Sequence, residues 1–259
     1  MPVSDHFSIG MEYVHAVFDD YLMAPGNGEP DAFGNSESTA RISAAWHFNP
    51  IPRGADAPVA YSFAGTYWGL QVGHGGLSSF TTGDRQEETI PPDLPVNSVL
   101  NADFGDTGFT AGLLVGHNLQ MGSFVLGGEI DAEFAQQEWN HERDPSGRDF
   151  SIEKVASGSA SVRAGVVLND AALAYARVGV TGSYFNIDFA TTGSTASSED
   201  WRAGLRYGGG LEVPIDESIA LRFDYTFTDY GTLKLQTPPG LETYDTQESL
   251  FRLGAILKL

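Results

Sequence analysis

Apolar and polar residues alternate strictly in the last two segments of the chain. In residues 218–227, Ile219, Leu221, Phe223, Tyr225 and Phe227 are separated by small, polar or charged residues. Residues 249–259 repeat the alternation and end on an apolar residue. A period of two places successive side chains on opposite faces of an extended strand. Both segments are therefore predicted to be β-strands with one apolar and one polar face.

The same pattern predicts eight strands in residues 60–259. They cover residues 63–73, 108–118, 123–134, 154–168, 171–185, 201–213, 218–227 and 249–259. Short turns at 118–122, 169–170 and 214–217 alternate with long polar connections at 77–107, 136–149, 188–200 and 229–246. Short turns on one side and long loops on the other are typical of outer-membrane barrels.

The polar face of these strands carries opposite charges together with many glycines. We predict an ion-paired network of Glu129, Asp131, Glu133, Arg163, Arg177, Arg202, Arg206, Glu212, Arg222, Asp224 and Arg252. Glycine has no use on a solvent-facing strand, whereas inside a narrow barrel it leaves room for long side chains. The prediction is an all-β fold, an eight-stranded antiparallel up-and-down transmembrane barrel with a polar lumen. A soluble lipocalin-like barrel is the alternative, and it predicts an apolar cavity with the arginines in water.

Aromatic residues cluster near the predicted strand ends, where we expect them at the membrane interfaces. They are Tyr67, Trp68, Phe80, Phe109, Trp139, Phe150, Tyr184, Phe185, Trp201 and Tyr230.

Composition narrows the function classes. The 259 residues carry a formal net charge of −20, which argues against nucleic-acid binding because that requires a basic surface. There are no cysteines for disulfides or thiolate metal sites. No apolar run approaches the roughly 18 residues of a transmembrane helix. No secretory signal is visible, so we expect a mature chain or a piece of a longer one.

Residues 5–48 are similar to the closing hairpin. Residues 5–13 align without gaps on 217–225, and residues 37–48 align on 248–259. The apolar row of this copy, Phe7, Ile9, Met11, Tyr13, Ala40, Ile42, Ala44, Trp46 and Phe48, is predicted to face outward. We therefore predict a partial repeat at 1–48, a Pro-rich linker at 49–59 and the barrel at 60–259. The hairpin either belongs to a tandem first barrel completed by upstream strands, or widens the main barrel to ten strands; the linker favours the tandem barrel.

Catalytic and metal chemistry find little support. Glu129, Asp131 and Glu133 form a column that could hold a hard cation, but neutralisation by neighbouring arginines is the preferred interpretation. The six histidines show no metal-ligand spacing, and no nucleophile elbow or nucleotide-binding loop occurs. The second alternative is an outer-membrane enzyme with a catalytic site at the rim formed by the loops. The only candidate for such a site is His141, near Glu142 and Asp144. No enzyme activity, cofactor or metal is predicted.

Several segments together resemble the small OmpA-type, opacity (porin-like) outer-membrane barrels of alphaproteobacteria. They are residues 60–69 (AYSFAGTYWG), 126–132 (LGGEIDA), 161–165 (SVRAG), 174–180 (AYARVGV) and 221–231 (LRFDYTFTDYG). The resemblance implies an outer-membrane location. It also implies a C-terminal aromatic read by the barrel-assembly machinery, and Leu259 departs from that pattern.

The predicted function is a structural or surface-interaction role in the outer membrane, or a very narrow pore. The expected partners are the lipid bilayer, lipopolysaccharide, the assembly machinery and the upstream strands of a tandem barrel.

Overall fold

The computed structural model describes residues 7–23, 31–49, 61–84, 99–143, 148–169, 171–191, 194–237 and 240–259. Every regular element among them is a β-strand. No helix in these ranges is long and apolar enough to cross a membrane.

Eight strands form a closed antiparallel barrel. They are β3 (Gly65–Asp84), β4 (Val99–Met121), β5 (Phe124–Arg143), β6 (Arg148–Leu168), β7 (Ala172–Thr191), β8 (Ser194–Pro214), β9 (Ile219–Thr237) and β10 (Gly240–Lys258). Each strand pairs with the next along the chain, and β10 closes the barrel on β3 from Lys258↔Tyr67 to Tyr244↔Thr81. The predicted fold is confirmed. Since both edges of β3 are hydrogen-bonded, one to β4 and the other to β10, the ten-stranded alternative was wrong.

The two remaining strands, β1 (Phe7–Met23) and β2 (Asp31–Trp46), form a separate two-stranded antiparallel sheet. The predicted extra N-terminal hairpin is thus confirmed. Of the residues predicted to face outward, Tyr13 is half-buried and Phe48 is exposed. The side chains of Phe7, Ile9, Met11, Ala40, Ile42, Ala44 and Trp46 lie outside the described part of the chain. The chain divides into two compact units, Met1–Ala57 and Pro58–Leu259.

One end of the barrel has tight turns, as the sequence predicts. Met121 pairs with Phe124 across the two-residue loop Gly122–Ser123, and Gly122 has a φ of 62° that favours glycine. Between β8 and β9, the Asp216 Oδ1 atom accepts hydrogen bonds from the backbone N–H groups of Ser218 and Ile219, both at 2.7 Å. This side-chain turn replaces ladder bonds where the chain reverses.

At the other end, the connections predicted as long loops are largely strand. β3 continues to Asp84 and β4 begins at Val99, so residues 85–98, which lie outside the description, are all that separates them. The barrel strands have 19 to 23 residues, whereas a tilted strand needs only about 9–11 to cross a bilayer. Roughly half of each strand therefore extends beyond a hydrocarbon layer. Alternation weakens in these polar extensions, which is why the strands were predicted too short.

The two faces of the barrel have opposite character. The inward face buries charged and polar side chains, and the outward face exposes large apolar ones. Outward examples along the barrel wall are Leu70, Leu113, Ile130, Phe134, Val162, Val180 and Leu205, each more than half exposed. A lipocalin-like barrel requires the reverse arrangement, so that alternative was wrong.

Candidate functional site

The lumen is the candidate functional site, because it contains every charged side chain that is buried among the described residues. Glu129, Asp131 and Glu133 lie at alternate positions of β5 and project inward as a column. The cations that face them come from the next five strands. They are Lys154 and Arg163 on β6, Arg177 on β7, Arg206 on β8, Arg222 on β9 and Arg252 on β10.

Nearest the tight turns, two arginines hold two glutamates. The Arg222 guanidinium donates from Nη1 to Glu129 Oε2 at 2.7 Å and from Nη2 to Glu212 Oε2 at 3.2 Å. Arg163 Nη1 donates to the same Glu212 oxygen at 3.0 Å. The fork of the guanidinium suits such bridging, since its five N–H donors can serve two carboxylates at once.

Two tyrosine rings flank these arginines. The Arg163 guanidinium lies 4.7 Å from the ring centroid of Tyr67 and 5.0 Å from that of Tyr175, while Arg222 lies 5.5 and 5.6 Å from the same rings. The Tyr67 hydroxyl also donates to Glu129 Oε2 at 2.9 Å. The rings pack against the guanidinium groups and add cation–π attraction, which strengthens when the partners are desolvated.

The middle of the lumen is organised around Arg177. Its guanidinium lies 3.1 Å from Glu129, 3.0 Å from Asp131 and 2.7 Å from Asp224. Its Nη2 atom donates a further bond to the Ser161 hydroxyl at 2.9 Å. One arginine thus links three carboxylates from two strands on opposite sides of the barrel.

Towards the long-stranded end, Glu133 and Asp131 meet Arg252 and Arg206. Arg252 Nη2 donates to Glu133 Oε2 at 2.8 Å and Nη1 donates to the Thr226 hydroxyl at 2.7 Å. Arg206 Nη1 lies 3.2 Å from Asp131 and 3.6 Å from Glu133. Gln71 donates to Glu133 Oε1 at 2.9 Å, so the acid is surrounded by donors.

Apolar clusters close the charged region at both ends. At the turn end, Phe63, Val125, Val167, Leu173 and Tyr175 form one cluster, and Tyr67, Leu114, Ala220 and Ile256 form another. At the long-stranded end the cluster consists of Leu77, Ile152, Phe185, Ile187, Tyr230 and Tyr244. The ion pairs are therefore enclosed between two apolar layers.

Tyr61 packs against both turn-end clusters. Its ring lies 5.7 Å from the Lys258 ammonium. Burial, followed by the charge of Glu212, raises the pKa of Tyr61 to about 12. The shift extends to higher pH the range in which the phenol is neutral, which suits its position beside the apolar clusters.

Comparison with known proteins identifies the family of the chain. The family model "Outer membrane protein beta-barrel domain" matches residues 53–256. The chain belongs to this family. The 25 kDa outer-membrane immunogenic protein of Brucella melitensis is 27% identical over 207 residues, covering 79% of this chain and 83% of the relative. The 31 kDa outer-membrane immunogenic protein of the same species is 28% identical over 196 residues, covering 69% and 76%.

Among solved structures, Neisserial surface protein A matches with a TM-score of 0.41 and 15% identity, over 76% of this chain and 98% of that chain. The Yersinia pestis attachment invasion locus protein, Ail, matches with a TM-score of 0.35 and 14% identity, over 76% and 100%. The protein is an outer-membrane β-barrel, and the predicted family and location are confirmed.

Of the eleven charged residues predicted from the sequence, the outer-membrane barrel brings ten into mutual ion pairs, and Arg202 lies apart. Arg202 pairs with Asp200 at 2.6 Å, and its side chain is 30% exposed. It shares the inward side of β8 with Arg206 but lies four residues nearer the long-stranded end. Alternation identifies the side of a strand but not the depth along it. The prediction therefore placed Arg202 on the correct side of β8 but at the wrong depth.

Two charged residues of the lumen were missed. The Lys154 ammonium forms a buried ion pair with Glu248, which also accepts a hydrogen bond from the Tyr230 hydroxyl at 3.1 Å. Glu248 could have been found, since it lies at i−4 from Arg252 on the same face of β10. Lys154 could not, because the register of β6 shifts beside it, between Lys154 and Ala156, and reverses the alternation.

Tyrosine rings occupy the space above several of the inward glycines. A Cβ atom on Gly116 would lie 2.1 Å from the Tyr67 hydroxyl, and one on Gly210 would lie 2.5 Å from the Tyr175 hydroxyl. Three aromatics predicted at the interfaces, Tyr67, Phe185 and Tyr230, are in fact buried inside. Alternation could have identified their side of the wall. Phe185 has the same strand parity as Arg177, and Tyr230 has the same parity as Asp224. The side chains of Trp139 and Phe150 lie outside the described residues.

Metal and rim-site candidates add nothing to this site. In the described part of the chain, no group of three or more histidines and acids could hold a metal ion. The proposed rim residues His141, Glu142 and Asp144 have side chains outside the description.

Proposed function

We propose that this protein is a non-conducting outer-membrane barrel with a structural and surface-display role. The observation that supports it is the enclosed lumen, in which six acids and six cations pair between two apolar layers. Ions crossing such a lumen would have to break buried pairs, and removing one partner of a buried pair costs about 3–5 kcal/mol. An eight-stranded barrel also has an interior that side chains just fill.

Surface display is supported by the strands that extend beyond the bilayer. The four segments at that end, residues 77–107, 136–149, 188–200 and 229–246, carry 16 acidic and 4 basic residues, a net charge of −12. The named relatives are outer-membrane immunogenic proteins, which supports exposure of the corresponding part and a non-enzymatic role. The predicted partners, namely lipid, lipopolysaccharide and the assembly machinery, remain proposals.

Single-channel recording tests the closed lumen. We expect the purified barrel, reconstituted into planar bilayers in KCl, to show no unitary current steps, while a general diffusion porin treated identically does. Insertion is verified independently by protease protection of the barrel in the same vesicles. Reproducible steps from a verified, folded sample would contradict the closed lumen and support the narrow pore.

A further inference from the structure

The N-terminal hairpin has the backbone register of the closing hairpin of the barrel. Phe7 pairs with Trp46 as Ile219 pairs with Leu257, and the correspondence continues without a slip to Val17↔Ser36 and Asp229↔Gln247. It covers eleven consecutive cross-strand pairs in each hairpin. Sequence similarity between two amphipathic hairpins does not by itself impose a common register, because each could slip along the other.

The hairpins also share an irregularity. In β9 an extra residue follows Asp229, where the register shifts between Asp245 and Gln247. In β1 an extra residue follows Phe18, one position beyond the equivalent point. A β-bulge bends and twists the strand that contains it, so both hairpins bend at nearly the same height.

The face of the hairpin that corresponds to the lumen carries charges of the same sign at three positions. Glu12 is directly opposite Arg41, as Asp224 is opposite Arg252, and Glu37 takes the position of Glu248. The Glu12 and Arg41 side chains are 3.6 Å apart and 60% and 62% exposed. Asp224 and Arg252 are 0% and 1% exposed. The hairpin thus has the charge pattern of a lumen face, but its charged pair is exposed.

The barrel indicates what should complete that face. There, β8 and β3 pair with the outer edges of β9 and β10, and Arg177 and Glu133 contact Asp224 and Arg252. A lone two-stranded hairpin is marginal in water, and its two edges cannot be left open in lipid. The matching partner is therefore a six-stranded sheet with an arginine at the Arg177 position and an acid at the Glu133 position.

We propose that β1–β2 is the closing hairpin of a second barrel of this family, completed by six strands equivalent to β3–β8. This proposal rests on the family membership and not on the closed lumen. One difference defines the partner further. Gly10 and Ser43 replace Arg222 and Gly254, so the partner needs fewer acids at the positions of Glu129 and Glu212.

A graft in the full-length chain tests the proposal, with this chain's own β3–β8 as the partner sheet. Residues 219–257 are replaced by a second copy of residues 7–46, and folding is measured as the band that migrates faster on SDS gels before heating than after. We expect part of the grafted protein to fold and to give this fast-migrating band. We expect a higher one when the graft also carries Gly10→Arg with Ser43→Gly, which restores a cation to Glu129 and Glu212.

The matched control is the same graft with Glu12→Arg and Arg41→Glu. This exchange keeps the pair within the hairpin and its amphipathic pattern, but it places like charges against Arg177 and Glu133. We expect about a tenfold or greater loss of folded fraction, since one or two kcal/mol already changes the folding ratio by about 5–30-fold. Equal folding of the exchanged and original grafts would overturn the proposal, as would failure of both the graft and its Gly10→Arg, Ser43→Gly form.

Discussion

Buried charge is tolerated in this lumen because most carboxylates contact two different cations. Glu129, for example, contacts Arg177 and Arg222, and Glu248 contacts Lys154 and Arg206. Isolated ionised groups in a low-dielectric interior cost several kcal/mol each, and shared pairs offset that penalty. At the scale of single residues, stability should therefore depend on which partners a substitution leaves behind.

Arg222→Leu removes a cation shared by Glu129 and Glu212. We expect the free energy of unfolding in urea, followed by tryptophan fluorescence in lipid vesicles, to fall by about 3–5 kcal/mol. The control Arg202→Leu removes a partly exposed arginine and should cost about 0–1 kcal/mol. Equal effects of the two changes would mean that water enters the lumen and solvates its charged groups.

Gly116→Ala should disturb the Tyr67 ring, because the new Cβ atom would lie 2.1 Å from its hydroxyl oxygen. We expect a loss of about 1–3 kcal/mol in the same unfolding assay. Gly128→Ala is the control, since nothing lies within 4 Å of its added Cβ atom. Adding Tyr67→Ala should make the Gly116→Ala change nearly neutral; an unchanged penalty in that double variant would assign the cost to the backbone.

At the scale of elements, the register shift in β6 decides which side chains enter the lumen. On one side of it Ser157, Ser159 and Ser161 are buried, and on the other Ile152 and Lys154 are. The parity of inward positions thus changes from odd to even within one strand. The shift places Lys154 against Glu248 and Ile152 in the apolar layer with Phe185.

Deleting Val155 should remove this shift and leave Lys154 and Ile152 on the inward face, because Lys154 and Ser157 would then be two positions apart, as their partners on β7 are. Lys154→Met removes the charge and keeps the backbone, so Glu248 would lose its closest cation. We expect Lys154→Met to lower the free energy of unfolding by about 3 kcal/mol or more, and we expect the deletion to cost less. A deletion that costs as much as Lys154→Met would show that the irregular backbone of β6 is itself required.

At the scale of the whole molecule, charge is segregated. The buried lumen contains six acids and six cations, so the 28 acids and 8 cations that remain of the chain's 34 and 14 carry all of its net charge of −20. The lumen is neutral and the apolar wall faces the bilayer. Charged substituents on that wall would be costly in lipid, by about 2–4 kcal/mol for a cation at the midplane.

The apolar wall predicts that the protein needs detergent or lipid to remain in solution. We expect the folded barrel to migrate faster on SDS gels unheated than boiled, because the closed ladder resists the detergent. A monodisperse monomer in detergent-free buffer would contradict the outward placement of residues such as Ile130 and Phe134, which are 62% and 78% exposed.

Deleting residues 1–49 should leave the barrel able to fold. Every ladder of the closed barrel is formed by residues 65–258, and β3 and β10 close it on each other. We expect the truncated chain to give the same heat-dependent migration and an unfolding free energy within about 1 kcal/mol of the full chain, as for independent sites. Loss of the fast-migrating band would show that the barrel requires the hairpin.

The sequence by itself determined the strand number, the closed antiparallel order, the polarity of the two faces and ten members of the ion-paired lumen. These follow from a period of two and from turn chemistry, which are local properties of the chain. The tertiary structure alone decided the depth of each side chain, which separates Arg202 from Arg206, and the parity beyond the β6 shift, which brings in Lys154. Depth and bulges depend on how neighbouring strands stagger around the barrel, and no single strand's alternation contains that information.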